Sequence, residues 1–145
     1  MTEPTHRERN AMMIAKIRET EPQPCTEGRH VLRVLCVPGR RTGTPREVPL
    51  AVTQLDGQRY VCSPSRRRDW TANLLAAGAC RIEQDPGRTY RAELVETDIG
   101  ATVLATYLGN VRPGGANMWP FPKDAPASVI REHLTEVAVI RLIPA

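Results

Sequence analysis

Two short segments concentrate groups that can hold an anion. The first, Gly39-Arg40-Arg41-Thr42-Gly43-Thr44-Pro45-Arg46, carries three arginines and two threonines. Guanidinium forks bind phosphate and carboxylate through parallel hydrogen bonds, and the amides and hydroxyls of a tight loop add further donors. The second, Ser63-Pro64-Ser65-Arg66-Arg67-Arg68-Asp69-Trp70, leads from an apolar stretch into a helix start. Free amides at a helix N-terminus attract negative charge. Each segment also reads as a solvated basic loop, because loops are polar, and Trp70 also reads as a core residue at helical spacing. Two anion-friendly segments in one small chain favour a single shared anionic ligand.

The elements around them must bring the two segments together. Val31 to Val37 is an apolar, β-branched run closed by Pro38-Gly39, which predicts a strand entering the first segment. Val48, Leu50 and Val52 alternate with Glu47, Pro49, Ala51 and Thr53, a strand with one buried face leaving it. Asp56-Gly57 predicts a tight hairpin turn, and Arg59 to Ser63 is the returning strand. Asp69 is a candidate N-cap, with Trp70, Leu74 and Ala77 at helical spacing and Gly78 as the stop. A second hairpin, Cys80 to Glu83 and Thr89 to Val95, turns at Asp85-Pro86-Gly87. Helices are predicted from residue 8 to 18, from Asp98 to Leu108 closed by Gly109, and as a turn from Ser128 to His133. Val111 to Pro126 reads as an ordered loop, and Val137 to Ile143 as a last strand. Six strands, mostly in hairpins, without a βαβ repeat or a GxGxxG loop, exclude a dinucleotide-binding Rossmann fold. They predict an α+β chain, mainly antiparallel β, shaped as a small barrel with short flanking helices.

Composition narrows the function classes. The chain has 145 residues, 41% of them hydrophobic and 25% charged, which suits one globular domain rather than disorder. No apolar run approaches the ~20 residues of a membrane helix, and the polar, acid-containing start lacks a secretory signal pattern. The net charge is +4, and Lys16 and Lys123 are the only lysines among 20 basic residues. That charge is too mild to demand nucleic acid, and the few aromatics are not interleaved with basic residues as base-stacking strands require. Cys25, Cys36, Cys62 and Cys80 form no CxxC pair, so no metal site is expected, and the last three read as small core hydrophobes. His6, His30 and His133 have no nucleophile partner in sequence. The expectation is a reduced, cytoplasmic protein.

Together the two segments resemble the deazaflavin (F420)-dependent nitroreductase family of split β-barrel oxidoreductases. The first family signature is matched by Gly39 to Gly43, Pro45-Arg46 and Pro49-Leu50. The second is matched by Cys62-Ser63, Trp70 and Asn73-Leu74, and the likeness spans about residues 30 to 108. The resemblance implies a split β-barrel, with residues 1–145 as one deazaflavin-binding domain. Residues 1–24 would form an N-terminal helix and linker, and residues 110–127 a loop near the substrate side. It implies that Arg40, Arg41, Thr42 and Arg46 hold the phosphate and acidic tail of coenzyme F420. Val48, Pro49, Ser63 and Pro64 would line its ring, and Trp70 and Asn73 would close the site. Pro64 stands where the family has a basic residue, which leaves that charge to Arg66 or Arg67. The family's tyrosine cluster is replaced by Tyr107, Trp119 and Phe121, so these are the expected substrate pocket and the acceptor identity does not carry over. The implied activity is hydride transfer from F420H2 to a small organic acceptor, which needs no acid–base dyad because the cofactor carries the hydride. The alternatives are an FMN-binding split-barrel oxidoreductase and a non-catalytic F420-binding or carrier protein. Family members often form homodimers.

Overall fold

Alternation along six strands decides how the sheet closes. The structure, a computed structural model, describes residues 2–111 and 118–145. The elements run α1 (His6–Glu19), β1 (His30–Pro38), β2 (Pro45–Leu55), β3 (Gln58–Ser63), α2 (Asp69–Ala77), β4 (Ala79–Ile82), β5 (Thr89–Leu94), α3 (Asp98–Asn110), α4 (Ala127–Arg131) and β6 (Ala138–Pro144). The strands close in the order β1-β2-β3-β6-β5-β4, with every neighbouring pair antiparallel. This is the α+β, mainly antiparallel split barrel with short flanking helices that the sequence led us to expect.

The strands present one face to the lumen; the outer faces of β3 and β6 and part of β1 are covered by helices, while Arg81 of β4 and Arg91 and Glu93 of β5 face outward and are exposed. Val48 and Val52 of β2, Val61 of β3 and Ile140 and Leu142 of β6 meet inside the barrel. Leu74 of α2 is fully buried among them, with Trp70 packed alongside. Burying a leucine of this size contributes roughly 1.5–3 kcal/mol, which ties α2 to the barrel. The opposite faces carry Tyr60 of β3 and Val139 of β6, which pack with Leu104 and Leu108 of α3 and Ile130 of α4 in a second core. On the β1 side, Ile14 and Ile17 of α1 cover Val34. No helix among the described residues is long and apolar enough to cross a membrane.

Turn chemistry follows the sequence closely in one place and departs from it in two. Asp56 and Gly57 have φ of 52° and 73°, the paired positive values of a type I′ hairpin, which glycine accepts without strain. The Glu27 carboxylate accepts the Asp56 and Gly57 amides at 2.5 and 3.0 Å and braces that turn. Asp69 is not the cap of α2: Arg68 holds that position without a side-chain cap bond, and Asp69 lies in the first helical turn. Gly109 does not close α3, which continues to Asn110. There the Asn110 side chain donates to the carbonyls of Thr106 and Gly28, both at 3.0 Å, and so secures the last turn. Within the expected loop from Val111 to Pro126, residues 112–117 lie outside the described residues.

Candidate functional site

A groove of about 860 Å³ lies at the Val37–Val48 end of the barrel. Three elements wall it: the loop between β1 and β2, the start of α2, and the first half of α1. The loop is shaped by backbone geometry. The Gly39 amide donates to the Thr44 carbonyl and the Gly43 amide to the Gly39 carbonyl, each at 2.8 Å. Gly43 sits at φ +74°, a conformation in which a side chain would be strained. The Thr42 hydroxyl donates to that of Thr44 at 2.9 Å and accepts the Thr44 amide at 3.2 Å. This tight turn leaves Arg41 and Arg46 exposed on the groove.

Asn73 couples the loop to α2. Its Oδ1 accepts the Arg40 amide at 3.0 Å and the Arg40 guanidinium at 2.8 Å. Arg40 also reaches Asp69 at 3.4 Å. Five arginines face the groove (Arg7, Arg40, Arg41, Arg46 and Arg68) against two acids, Glu47 and Asp69. Both acids are engaged, Asp69 by Arg40 and Glu47 by Arg18 at 2.5 Å. Among the described residues Arg7, Arg41, Arg46 and Arg68 form no ion pair. The groove therefore carries an uncompensated positive field over an apolar floor of Val37 and Val48, with Trp70 at its side.

The structure gathers Arg40, Arg41, Thr42, Arg46, Val48, Trp70 and Asn73 around this groove. Pro49, Ser63, Pro64 and Arg66 lie outside its lining. Pro49 has the opposite strand parity to Val48, which turns it away from the lumen. Ser63 is fully buried; its hydroxyl donates to the Ser65 carbonyl at 2.8 Å and accepts from the Thr71 hydroxyl at 2.7 Å. It thereby fixes the turn from β3, through Pro64, into α2. Arg66 donates to the carbonyls of Val137 (2.9 Å) and Leu134 and pairs with Glu96 at 3.3 Å, so its charge braces the turn before β6.

Tyr107, Trp119 and Phe121 also lie away from the groove. They belong to the second core, where Trp119 and Phe121 are 9% and 6% exposed. Their rings continue a series from His30 through Tyr107, Trp119 and Phe121 to His133, with centroids 5.4–6.3 Å apart; the first two pairs meet edge-to-face and the last two are tilted. Aromatic pairs favour edge-to-face contacts such as the first two over face-to-face stacking. Burial pushes the Tyr107 hydroxyl above and His30 below their usual pKa. These rings fill the space between α3 and the barrel, so the expectation of an open aromatic pocket gives way to one of packing.

The α1 wall was missed by sequence reasoning. His6, Arg7, Asn10 and Ile14 line the groove. The spacing of Ile14 and Ile17 signals a packed helix but carries no information about which strands it covers. The cysteines divide as well. Cys80 is buried in the lumen, whereas Cys36 points outward beside Glu47 and Glu83 instead of entering a core. Burial pushes the Cys62 and Cys80 thiols up to about 12 and about 11, which leaves them unreactive at neutral pH. No group of three His, Cys, Asp or Glu among the described residues is arranged to hold a metal ion.

No family model and no curated protein matches the chain. Among solved structures, it is similar to a heme binding protein from Mycobacterium smegmatis, with a TM-score of 0.51 and 17% identity over 98% of this chain. It spans about half of that protein, 52% of its length. General Stress Protein 26 from Bacillus anthracis str. Sterne overlaps with a TM-score of 0.49 and 11% identity, over 92% of this chain and 87% of its own. At these identities, the likeness to the heme binding protein establishes the barrel fold.

Proposed function

We propose that the protein is an oxidoreductase that passes a hydride from reduced coenzyme F420 to a small organic acceptor. The observation that carries this reading is the single groove holding Arg41, Thr42, Arg46, Trp70 and Asn73. The donor set fits the cofactor's chemistry: guanidinium and hydroxyl groups for a phosphate and a carboxylate tail, apolar surface for a flat ring. When bound, the deazaflavin supplies the hydride. Arg41 and Arg46 bind the anionic end, because both are exposed and form no ion pair among the described residues. Arg40 holds the loop against Asn73 and acts as a positioning residue. Val37, Val48 and Trp70 orient the ring and exclude water from one side. Thr42 adds a hydroxyl at the loop tip. The acceptor enters on the α1 side, past His6 and Asn10.

One observation favours a second reading, an F420 binder without turnover: Trp119 and Phe121, expected to build an acceptor pocket, are consumed by the second core. Titration of the full chain with F420 in both redox states, FMN and heme, read by fluorescence quenching and absorbance, separates these readings. Saturable F420 binding with oxidation of F420H2 by an organic acceptor supports the enzyme. Binding without oxidation by any acceptor supports the binder. Saturation by FMN or heme and none by F420 rejects both.

A further inference from the structure

A second cavity, of about 470 Å³, opens where β1 and β4 part. These strands pair only at Leu35–Ile82 and Cys36–Arg81. Past Ile82 the chain turns away from β1. The Glu83 amide donates to the Val34 carbonyl and the Val34 amide to Gln84 Oε1, both at 2.9 Å. The β1 residues before Val34 have no β4 partner, and the barrel is open there. Arg33 lies about 13 Å along β1 from Val37 on the groove, and the two cavities share no lining residue.

Strand parity aims charge into this opening. Arg33 shares its β1 face with Val31 and Leu35, and Arg59 its β3 face with Val61, which are the faces that meet inside the barrel. Both guanidiniums line the cavity over a floor of Val52 and Ile82, 1% and 3% exposed. Arg88, from the β4–β5 turn, adds a third at the rim. The facing acid is Asp85. Arg59 is 3.8 Å from it and donates to the Tyr90 hydroxyl at 3.0 Å, and Tyr90 donates to Asp85. Arg33 donates to the carbonyls of Leu32, at 3.1 Å, and Gln23. Arg88 forms no ion pair among the described residues. Three cations thus meet one carboxylate, and two of them, Arg33 and Arg59, stand on strand faces whose neighbouring residues are apolar. Drawing guanidiniums toward a barrel interior costs solvation that an anion of matching shape restores.

We propose that this barrel mouth binds a small organic anion, its carboxylate or phosphate head on Arg33, Arg59 and Arg88 and its short aliphatic end within the cavity above the buried Val52 and Ile82. The site is independent of the groove and of the cofactor assigned to it. The test follows amide shifts of the full chain during titration with hexanoate and, separately, with inorganic phosphate. Saturable shifts at Arg33 and at residues 82–88 are expected with hexanoate, and they persist in Arg41→Ala. Saturation at these residues by phosphate alone assigns the head group to a phosphate ester. Arg88→Gln, at an exposed position, weakens binding about tenfold; Arg33→Gln does the same and is the second reading should either variant fold poorly. Shifts confined to residues 39–46, no saturable shift with either probe, or undiminished affinity in both folded variants overturns the site.

Discussion

Arg40 and Asn73, 33 residues apart, are joined through one oxygen: the backbone amide and the guanidinium of Arg40 both donate to Asn73 Oδ1. That double contact makes the shape of the β1–β2 loop depend on α2. Asn73 is 7% exposed, so removing its carbonyl strands a donor away from full solvation. Asn73→Ala should cost about 1–3 kcal/mol of stability and should weaken F420 binding by loosening the loop. A thermal melt paired with an F420 titration checks both. Loss of stability with undisturbed affinity would show that the loop holds its shape without α2.

Arg41 and Arg46 differ from Arg40 in forming no ion pair among the described residues. Arg41→Ala and Arg46→Ala should therefore leave the melting temperature nearly unchanged, as is usual for exposed positions. Each removes a charge-assisted contact of roughly 1.5–3 kcal/mol to the ligand, which corresponds to a ten- to hundredfold rise in Kd. Arg40→Ala should lower both stability and affinity. Equal behaviour of all three variants would remove the division between binding and positioning residues.

Trp119 and Phe121 lie in the second core, so truncation creates a cavity there. Trp119→Ala and Phe121→Ala should each cost about 3–5 kcal/mol. At temperatures where the variants stay folded, cofactor Kd and acceptor KM should be unchanged. Urea unfolding followed by kinetics on the folded fraction decides it. A stable variant with a raised KM would return these rings to the acceptor site.

Hydrophobic alternation made the barrel legible, because a strand with one buried face can place Val48, Leu50 and Val52 only one way. The Asp56-Gly57 turn was equally readable, since few residues tolerate its dihedral angles. The β1–β2 loop was legible from its glycines and arginines, but which arginine is braced within the protein and which stay exposed on the groove was not. That distinction depends on Asn73 reaching across from α2, a contact set by the packing of Leu74. Ser63 and Arg66 show the same limit from the other side: their types suit ligand binding, yet their hydrogen-bonding groups are spent on Thr71 and on the turn before β6. The aromatic segment was ambiguous for a simpler reason. Trp and Phe serve a pocket and a core with the same chemistry, and only the position of α3 separates the two.

Acid should destabilise the fold in two stages. Burial holds His30 below its ordinary value of 6.5, so the unfolded chain takes up this proton first as pH falls. The stability this contributes is complete above 6.5 and declines as pH drops toward the folded pKa. Glu83, lowered by its hydrogen bonds from Arg18, and Glu27, lowered by the Gly57 and Asp56 amides, act below their ordinary 4.5. Their contribution is present above that value and is lost as pH falls through their folded pKa. Urea midpoints measured against pH should decline in both windows, and His30→Gln should flatten the upper one. A wild-type profile that is level between about pH 5 and 7 would exclude the His30 contribution.

The α1 wall should respond to salt, because a few contacts hold it. Its apolar attachment is Ile14 and Ile17 on Val34. Its polar attachment is Arg18, which donates to both oxygens of Glu83 at distances down to 2.6 Å and to Glu47 at 2.5 Å. Exposed ion pairs of this kind are screened as ionic strength rises. The same helix carries His6, Arg7 and Asn10 into the groove, so loosening it uncovers one side of a bound ligand. Arg18→Ala should raise hydrogen exchange across residues 6–19 and speed F420 release, while leaving exchange in β5 and β6 unchanged. High salt should do the same to the wild type and add little in the variant. Met12→Ala, at a position 65% exposed, is the control and should alter neither quantity. If Arg18→Ala loosens α1 without changing the release rate, the helix is a scaffold beside the groove and the ligand is held by the loop and α2 alone.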